Sequence, residues 1–412
     1  MKRRVLAILT ALVMFMSAVG VPTITKAQTT GPVWEWTRLK GSGRYGTMAA
    51  ITDEAYWPSQ DGKATHLILA TGEAFPDALS GAALAGVYGC PIITTKPDVL
   101  RAEAKKEIER LASKDGCTVY VLGGSGAVSD DVLNAIKKIE GVTAERIKGS
   151  NREATAIAVY ENGKAAENGF AGNDTFILAT SKGYADTLSI SPYAYASKTP
   201  ILLTKLDGTL RDSVKDVILD AANGFKKAII VGGTGVVTQE TEDILTAGGI
   251  EVLRLKGKNR YATSAEIVKW ELGLNTETTI QPAVTMKSEG MGVAVGENFP
   301  DALASANLLG KTKSVLLLVK NVEATDKPNI DELIAPYTAN MTKGYIFGGT
   351  GAVTEATEAL LNAVVPTTTI YETPEEILTA LYGLERNKKL SDGHLYELEG
   401  KIKSVDTQYD AS

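Results

Sequence analysis

The chain has few of the residues from which catalytic and metal centres are built. Its 412 residues include two cysteines, Cys90 and Cys117, and two histidines, His66 and His394. Two thiols are too few for a disulfide framework in a chain of this length, and the sequence leaves open whether they pair. The GxSxG, HExxH and Cys–His signatures of hydrolases are also missing. We therefore expect no catalytic residue, no metal site and no cofactor.

Apolar runs long enough to cross a bilayer are missing as well. Residues 1–27 combine a basic start with a short apolar run, from Val5 to Val19, and a small-residue region that ends near Ala27. This pattern is typical of a secretory signal peptide. No C-terminal anchor motif is visible. We expect a secreted protein with no membrane span after signal removal, so any attachment would be non-covalent.

The chain also has no excess of positive charge. The formal net charge is −6, and removal of residues 1–27 would take away four basic residues and no acidic one. Sequence-independent binding of nucleic acid requires clustered lysine and arginine. The composition therefore argues against a nucleic-acid partner.

What the chain does have is a long internal repeat. Three elements recur in the same order: an arginine after a glycine-rich stretch, an aspartate in an FPDAL or YADTL segment, and a GGxG turn. Their positions are Arg44, Arg152 and Arg260, spaced 108 residues apart; Asp77, Asp186 and Asp301; and turns that begin at Gly123, Gly232 and Gly348. A period this long is a whole domain rather than a solenoid unit. It predicts modules at residues 36–148, 149–256 and 257–365, followed by a tail (366–412) that either pairs with a sheet edge or begins a further domain.

Within each copy, short apolar runs alternate with helix-like segments. HLILATG, PIITT and CTVYVLGG in the first copy are typical of strands that are buried on both faces, and helical patterns separate them. This alternation predicts α/β modules with mainly parallel sheets and right-handed crossovers. The third copy is longer, and we place its insertion at residues 287–293, with Gly290 and Gly292 as loop residues.

The repeated motifs each allow a binding and a structural interpretation. The GGxG turns could cradle phosphate, but a tight turn followed by a helix-capping Ser129, Thr238 or Thr354 is the favoured interpretation. The aspartates lie where ligands bind in open α/β sheets, yet they would also complement a helix dipole. The arginines could grip a phosphate or carboxylate, or clamp a carboxylate or carbonyl of a neighbouring module.

With these motifs assembled, the chain resembles the clostridial cell-wall-binding repeat family of type two. The resemblance covers roughly residues 37–365 and rests on four elements: G-x-x-R-Y-x-T-A, A-T-G-E-x-F-P-D-A-L, P-I-L-L-T and V-x-G-G-x-G-x-V. It implies three Rossmann-like or Toprim-like modules in a pseudo-threefold trimer, packed against one another within the chain. It also implies an S-layer-associated protein at the Gram-positive cell wall or cell surface, held non-covalently by an anionic wall polymer.

The family associates an Ile-Leu-Leu segment with this binding. The segment corresponds here to Ile92, Ile93 and Thr94; to Ile201, Leu202 and Leu203; and to Val315, Leu316 and Leu317. An apolar triplet in a parallel strand is normally core, so we expect it to shape the site rather than to touch the polymer. Only the second copy keeps the full P-I-L-L-T, and we expect the third copy to bind least.

Two other functions fit the same residues. One is an exported enzyme or solute-binding protein that holds a phosphorylated small molecule at the strand ends. The other is a purely structural surface-layer component.

Overall fold

The fold is described from a computed structural model of residues 36–56, 63–322, 334 and 341–364. The predicted signal peptide (1–27) and tail (366–412) lie outside these residues. The strands are β1 Trp36–Leu39, β2 His66–Thr71, β3 Ile92–Thr95, β4 Cys117–Leu122, β5 Val142–Ile147, β6 Thr175–Thr180, β7 Ile201–Thr204, β8 Lys227–Val231, β9 Glu251–Leu255, β10 Lys287–Val295, β11 Ser314–Val319 and β12 Lys343–Phe347. The helices are α1 Gly43–Ala55, α2 Pro76–Tyr88, α3 Ala102–Leu111, α4 Asp130–Ile136, α5 Arg152–Ala165, α6 Ala185–Ser197, α7 Asp212–Leu219, α8 Gln239–Ala247, α9 Arg260–Glu271, α10 Pro300–Thr312 and α11 Glu355–Asn362.

These elements form three four-stranded parallel sheets, which confirms the predicted α/β modules. The strand orders are β3-β2-β4-β5, β7-β6-β8-β9 and β11-β10-β12-β1. The central strands are mostly buried apolar runs, as the sequence predicts, although Thr118 and Tyr120 of β4 are half-buried. In the first sheet the chain continues from β2 to β3 on one side, and from β4 to β5 on the other side. The direction of the strand order therefore reverses between β2 and β4. Their carboxyl ends therefore frame the crevice in which open α/β sheets bind ligands.

The first strand of the described residues, β1, does not join the sheet of the first module. β1 pairs in parallel with β12, with Trp36 opposite Gly344 and Leu39 opposite Phe347. In the other two sheets the same edge position is filled by β5 and β9, which lead directly into the next module. The N-terminal strand therefore closes the third sheet and, with it, the ring of modules.

Three equivalent helices, α2, α6 and α10, pack against one another at the centre of the ring. They are rich in small residues, and two glycines allow the closest approaches. A Cβ added to Gly86 of α2 would lie 2.0 Å from the carbonyl oxygen of Tyr195 in α6, and one added to Gly310 of α10 would lie 2.6 Å from the Cβ of the same tyrosine. The modules thus meet through helix backbones, in the pseudo-threefold trimer that the resemblance implied.

Two sequence-based expectations about the third and first copies need correction. Gly290 and Gly292 lie inside β10 and not in a loop: Gly292 pairs with Leu316 and Tyr345. The extra residues of the third copy lie earlier, in the connection between α9 and β10 (272–286), which is longer than its counterpart 166–174. The error arose because glycine suggests a loop, whereas Gly292 leaves room for Phe347 and Leu309. In the first copy, the segment VSDDVLNAIKKI after the GGxG turn predicts a long helix, but the structure has the short α4 there, Asp130–Ile136.

Both cysteines are free thiols and both are buried. Burial, with a contribution from nearby Cys117, raises the pKa of Cys90; burial also raises the pKa of Cys117 to about 11. Within the described residues, no helix combines the length and the hydrophobicity that a membrane crossing requires.

Candidate binding clefts at the module junctions

Each junction between modules brings the aspartate of one module to the arginine and threonine of the next. The neighbouring groups that act on the pKa of each aspartate are the arginine and threonine at the start of the next module's helix. We name the three clefts by the modules that they join. Cleft 1–2 contains Asp77, Arg152 and Thr155; cleft 2–3 contains Asp186, Arg260 and Thr263; cleft 3–1 contains Asp301, Arg44 and Thr47. The repeat thus encodes two halves of a shared site rather than one complete site per module.

The aspartates lie in the first turn of the central helices, against the GGxG turns. The first glycine of each turn has a positive φ, of +93° at Gly123, +103° at Gly232 and +105° at Gly348. A Cβ at Gly123 would lie 2.4 Å from Oδ2 of Asp77, and the other two glycines approach their aspartates as closely. Both the backbone conformation and the close approach require glycine at this position. Turn and aspartate therefore form one unit at the sheet edge.

Burial raises the pKa of all three aspartates above the usual range. Around Asp186 the Arg260 guanidinium, followed by the Thr263 hydroxyl, acts in the opposite direction without reversing the shift. The same balance holds at Asp77 and Asp301 with their own threonine and arginine. Each aspartate is thus half-buried in surroundings that disfavour its charged form. This indicates a role for the aspartates other than a favourable interaction with the helix dipole.

The glycine-rich stretch before each arginine positions that arginine. In the second copy the N–H of Gly149 donates to Oγ1 of Thr155 at 3.1 Å, and a Cβ at Gly149 would lie 2.3 Å from the carbonyl carbon of Ala154. The same two relations hold for Gly41 and for Gly257. Glycine, arginine and threonine therefore recur together because they close one tight loop at the helix start.

Each arginine reaches the backbone at the end of a strand. Arg44 Nη1 donates to the carbonyl of Gly72 at 2.6 Å, Arg152 Nη1 donates to that of Ser181 at 3.0 Å, and Arg260 donates to that of Gly296. Each carbonyl belongs to the arginine's own module, whereas the sequence analysis considered only a carbonyl or carboxylate of a neighbouring module. Arg152 and Arg260 are exposed, so their guanidinium groups remain accessible to a ligand.

The predicted helix caps at the GGxG turns are confirmed. Ser129, Thr238 and Thr354 accept from the backbone N–H three residues later, at 3.2 to 3.3 Å. The next three N–H groups after the first glycine of each turn donate to no acceptor within the described residues. Successive amides of this kind are suited to an anion.

A second repeated arginine supports the turns, and the sequence analysis missed it. Arg38, Arg146 and Arg254 donate to the carbonyls of Gly348, Gly123 and Gly232, at 2.8 to 3.0 Å. Each also pairs with a carboxylate of the helix after the turn. Their spacing of 108 residues is visible in the sequence and could have revealed them.

Cleft 2–3 contains a formed cavity of about 400 Å³. Its walls come from both modules: the end of β6 and start of α6, the second GGxG turn, and the loop that begins α9. The charged side chains in its lining are Lys182, Asp186 and Arg260. The cavity therefore joins the repeated aspartate and arginine to a lysine that the sequence analysis did not select.

Three aromatic rings meet where the clefts converge. Phe75, Tyr184 and Phe299 occupy the N-cap positions of the central helices, and their ring centroids lie 5.4 to 5.8 Å apart. All three are half-buried, Tyr184 lines the cavity, and Arg260 lies over its ring at 5.7 Å. We call these three residues the aromatic hub. Its sequence signal is the aromatic residue two positions before each aspartate.

The residues of the Ile-Leu-Leu segment lie in the core. Ile92, Ile93, Ile201, Leu202, Leu203, Val315, Leu316 and Leu317 are at most 2 % exposed, and Thr94 is 4 % exposed. They occupy β3, β7 and β11 beside the strands that end at the clefts. This burial supports the expectation that they shape the site without touching a ligand.

The comparison with protein families matches this arrangement three times over. The sequence model of the family described as cell wall binding domain 2 matches residues 38–133, 146–242 and 254–358. Each stretch contains one repeated arginine, one aspartate and one GGxG turn.

Relatives and solved structures agree with this match. The N-acetylmuramoyl-L-alanine amidase LytC of Bacillus subtilis (strain 168) is 31 % identical over 80 % of this chain and 58 % of its own length; the amidase enhancer of the same organism is 28 % identical over 69 % and 34 %. Cwp8 from Clostridium difficile superposes with a TM-score of 0.65 at 25 % identity, covering 79 % of this chain and 51 % of its own. Cwp6 from the same organism has a TM-score of 0.66 at 20 % identity, covering 84 % and 50 %. The chain therefore spans about half the length of several of these proteins.

Proposed function

The chain belongs to the cell wall binding domain 2 family, and from this premise we propose that its modules attach it non-covalently to an anionic polymer of the Gram-positive wall. A chain with three such modules is a cell-wall-binding protein of the wall or cell surface. The polymer sites in this proposal are the three clefts. The observation that supports it is the repetition of one charged arrangement at every junction.

The chemistry of the clefts suits a polyanion. Each offers a guanidinium group from Arg44, Arg152 or Arg260 and a row of backbone amides that have no acceptor in the described part of the chain. A guanidinium group recognises phosphate or carboxylate through paired hydrogen bonds, and amides add fixed positive dipoles. The net negative charge of the chain does not oppose this, because screening confines its effect to about 8 Å at physiological salt. The aspartates Asp77, Asp186 and Asp301 would accept from polymer hydroxyl groups.

Three linked sites on one body strengthen binding to a repeating polymer. When two or more sites engage together, the later contacts become intramolecular, and avidity exceeds single-site affinity by roughly 10²–10⁴. Because every cleft is shared by two modules, this advantage depends on the closed ring. A single isolated module would carry only two half-sites.

The matched family is a binding module, and we extend this to propose that the described modules bind without catalysis. Their chemistry here serves contact with the polymer: arginine and amide donors, aspartate acceptors and the aromatic hub. The buried Ile-Leu-Leu residues set the strand positions from which these groups project. The activities of the LytC and amidase-enhancer relatives belong to those proteins.

Sedimentation with purified cell walls tests the proposal. The full chain is mixed with walls that retain their anionic polymer and with walls from which the polymer has been extracted. We expect binding to the first and loss of most binding to the second. Equal binding to both would contradict a polymer ligand.

Arginine variants then locate the contact. Arg44→Ala, Arg152→Ala and Arg260→Ala, made singly and together, should weaken binding in steps, with the triple variant losing at least about tenfold. The matched control replaces Lys106 and Lys215, exposed lysines on α3 and α7, with alanine. Circular dichroism and the free energy of unfolding establish that the variants fold. A folded triple variant that binds as the control does would assign the arginines to packing alone.

A further inference from the structure

One position in the clefts differs between the copies in the sign of its charge. It follows the strand end by two residues and is Glu73 in the first module, Lys182 in the second and Glu297 in the third. Lys182 lines the cavity of cleft 2–3 together with Arg260. The second copy therefore presents a cation where the other two present a carboxylate.

A second exchange accompanies the first. In the first and third copies the residue after the repeated arginine is a tyrosine, and its hydroxyl donates to the glutamate: Tyr45 to Glu73 at 3.5 Å, and Tyr261 to Glu297. In the second copy the tyrosine is replaced by Glu153. The two positions thus change together. The first and third copies have tyrosine after the arginine and glutamate after the strand, whereas the second copy has glutamate and lysine at these two positions.

The exchange leaves the lysine unengaged. Glu153 is 4 % exposed and turns inward, where its carboxylate accepts from Ser181 Oγ at 3.4 Å and from Arg211 Nε at 3.3 Å. Lys182 is exposed, and within the described residues its Nζ has neither an ion pair nor a hydrogen bond. Arg211 neutralises the negative charge introduced by Glu153, so Lys182, which lines the cavity, is not needed for that pairing.

The charged side chains that line the cavity are mostly basic, whereas the whole chain has a net negative charge. Its lining contains two cations, Lys182 and Arg260, and one carboxylate, Asp186, for which burial disfavours the charged form. Gly233 and Gly235 of the turn also line it, and their N–H groups have no acceptor within the described residues. A cavity of about 400 Å³ has room for an anionic group and its neighbouring sugar, with Tyr184 of the aromatic hub at its wall.

We propose that cleft 2–3 is the principal anion subsite of the protein, in which Lys182 and Arg260 together bind a phosphate or carboxylate group of the polymer. Clefts 1–2 and 3–1, which have one repeated arginine and a glutamate at the equivalent position, bind the same chain more weakly. This inference rests on the proposed function and deepens it, because it ranks three sites that the repeat alone would make equal.

Charge reversal at Lys182 tests the inference in the full chain. Lys182→Glu should weaken binding to polymer-bearing walls by about tenfold or more, since it places a carboxylate beside the bound anion. Lys182→Arg, which keeps the charge, should retain most of the binding. Lys215→Glu, an equal charge change on an exposed residue of α7, is the control for long-range electrostatics. Arg260→Ala should weaken binding more than Arg152→Ala or Arg44→Ala.

The outcomes separate this inference from the function on which it rests. If the wild-type chain and the Lys182→Glu variant bind polymer-bearing walls equally well, the proposed subsite is wrong and the proposed function is retained. If the wild-type chain does not bind polymer-bearing walls, the proposed function is wrong. The subsite is then tested by thermal unfolding with inorganic phosphate, which should stabilise the wild-type chain and not the Lys182→Glu variant. The absence of a shift in wild type would overturn the subsite in that case. A loss in Lys182→Glu matched by Lys215→Glu would also overturn it, since general repulsion would explain both.

Discussion

Junctions 2–3 and 3–1 have the same local geometry but are built from the chain in different ways. At junction 2–3 the edge strand β9 leads directly into helix α9, so the chain itself connects the second sheet to the third module. At junction 3–1 the edge strand of the third sheet is β1, from the other end of the described chain. β1 leads directly into α1, as β9 leads into α9. The difference lies within the sheets: β9 is connected to β8 through α8, whereas β1 comes from the other end of the described chain and joins the third sheet by pairing with β12.

The closing strand keeps the common contacts and adds one more. Arg38 of β1 pairs with Glu358 at 2.7 Å, as Arg254 of β9 pairs with Glu242 at 2.7 Å. Trp36 of β1 has Val252 as its counterpart in β9; it is 8 % exposed and donates its indole N–H to the carbonyl of Leu361 at 3.1 Å. The edge strand that comes from the other end of the described chain thus has the larger apolar anchor.

The interiors of the two junctions differ as well. Glu271 at the end of α9 is fully buried, and neither of its carboxylate oxygens has a hydrogen-bond partner among the residues that the structure describes. The equivalent residue of α1, at junction 3–1, is Ala55. Junction 2–3, which holds the formed cavity, thus contains a destabilising group that junction 3–1 lacks.

The largest expected effect comes from removing the anchor of the closing strand. Trp36→Ala should lower the free energy of unfolding by about 3 kcal/mol, because it removes a buried aromatic side chain and leaves a carbonyl without its donor. Val252→Ala, at the half-buried counterpart, should lower it by less than about 1 kcal/mol. Urea unfolding of both variants measures the difference. Equal losses would show that the two junctions depend on their edge strands alike.

A smaller effect of opposite sign is expected at Glu271. Burial raises the pKa of this carboxyl well above its usual value, so the folded chain holds a proton that the unfolded chain releases. Stability is therefore lost as pH rises from about 4.5 through the folded pKa. Glu271→Gln, which cannot ionise, should raise the free energy of unfolding at pH 7 by about 1–3 kcal/mol. The gain should vanish near pH 4, and a gain independent of pH would contradict a buried carboxyl as its source.

The smallest effect is expected at the aspartates of the clefts. Burial raises the folded pKa of Asp186 and Asp301, so each destabilises the fold as pH rises above about 3.8, the value for the unfolded chain. Asp186→Asn and Asp301→Asn should each stabilise the fold at pH 7, by less than about 1 kcal/mol because the groups are partly exposed. Both variants should weaken wall binding. Thermal unfolding between pH 4 and 7 checks the sign, and destabilisation at pH 7 would assign the aspartates a structural role.

Much of the local structure follows from the sequence because it depends on neighbours in the chain. The apolar runs predict the strands, and the serine or threonine after each GGxG turn predicts the helix caps. The insertion of the third copy was misplaced because the glycines at 290 and 292 serve side chains from other elements, Leu309 and Phe347 among them. No local pattern contains that information.

The candidate site was predictable in its parts and not in its assembly. Arg44, Arg152, Arg260 and the three aspartates are all visible as a repeat, but the sequence leaves open which arginine lies beside which aspartate. The structure joins the aspartate of one module to the arginine of the next, and it adds Lys182 and the aromatic hub at the same edge. These neighbours are set by the packing of α2, α6 and α10, which brings together arginines and aspartates that lie 74 to 257 positions apart in the sequence.

The number of modules, the order of their strands and helices, and the repeated arginines and aspartates thus follow from the sequence. Only the packed fold shows that β1 completes the third sheet, that each cleft belongs to two modules, and that Glu153 is buried while Lys182 lines the cavity. The physical reason is that local patterns record which surfaces each element must bury. Which element covers them depends on the closest packing of three central helices, and that is a property of the whole ring.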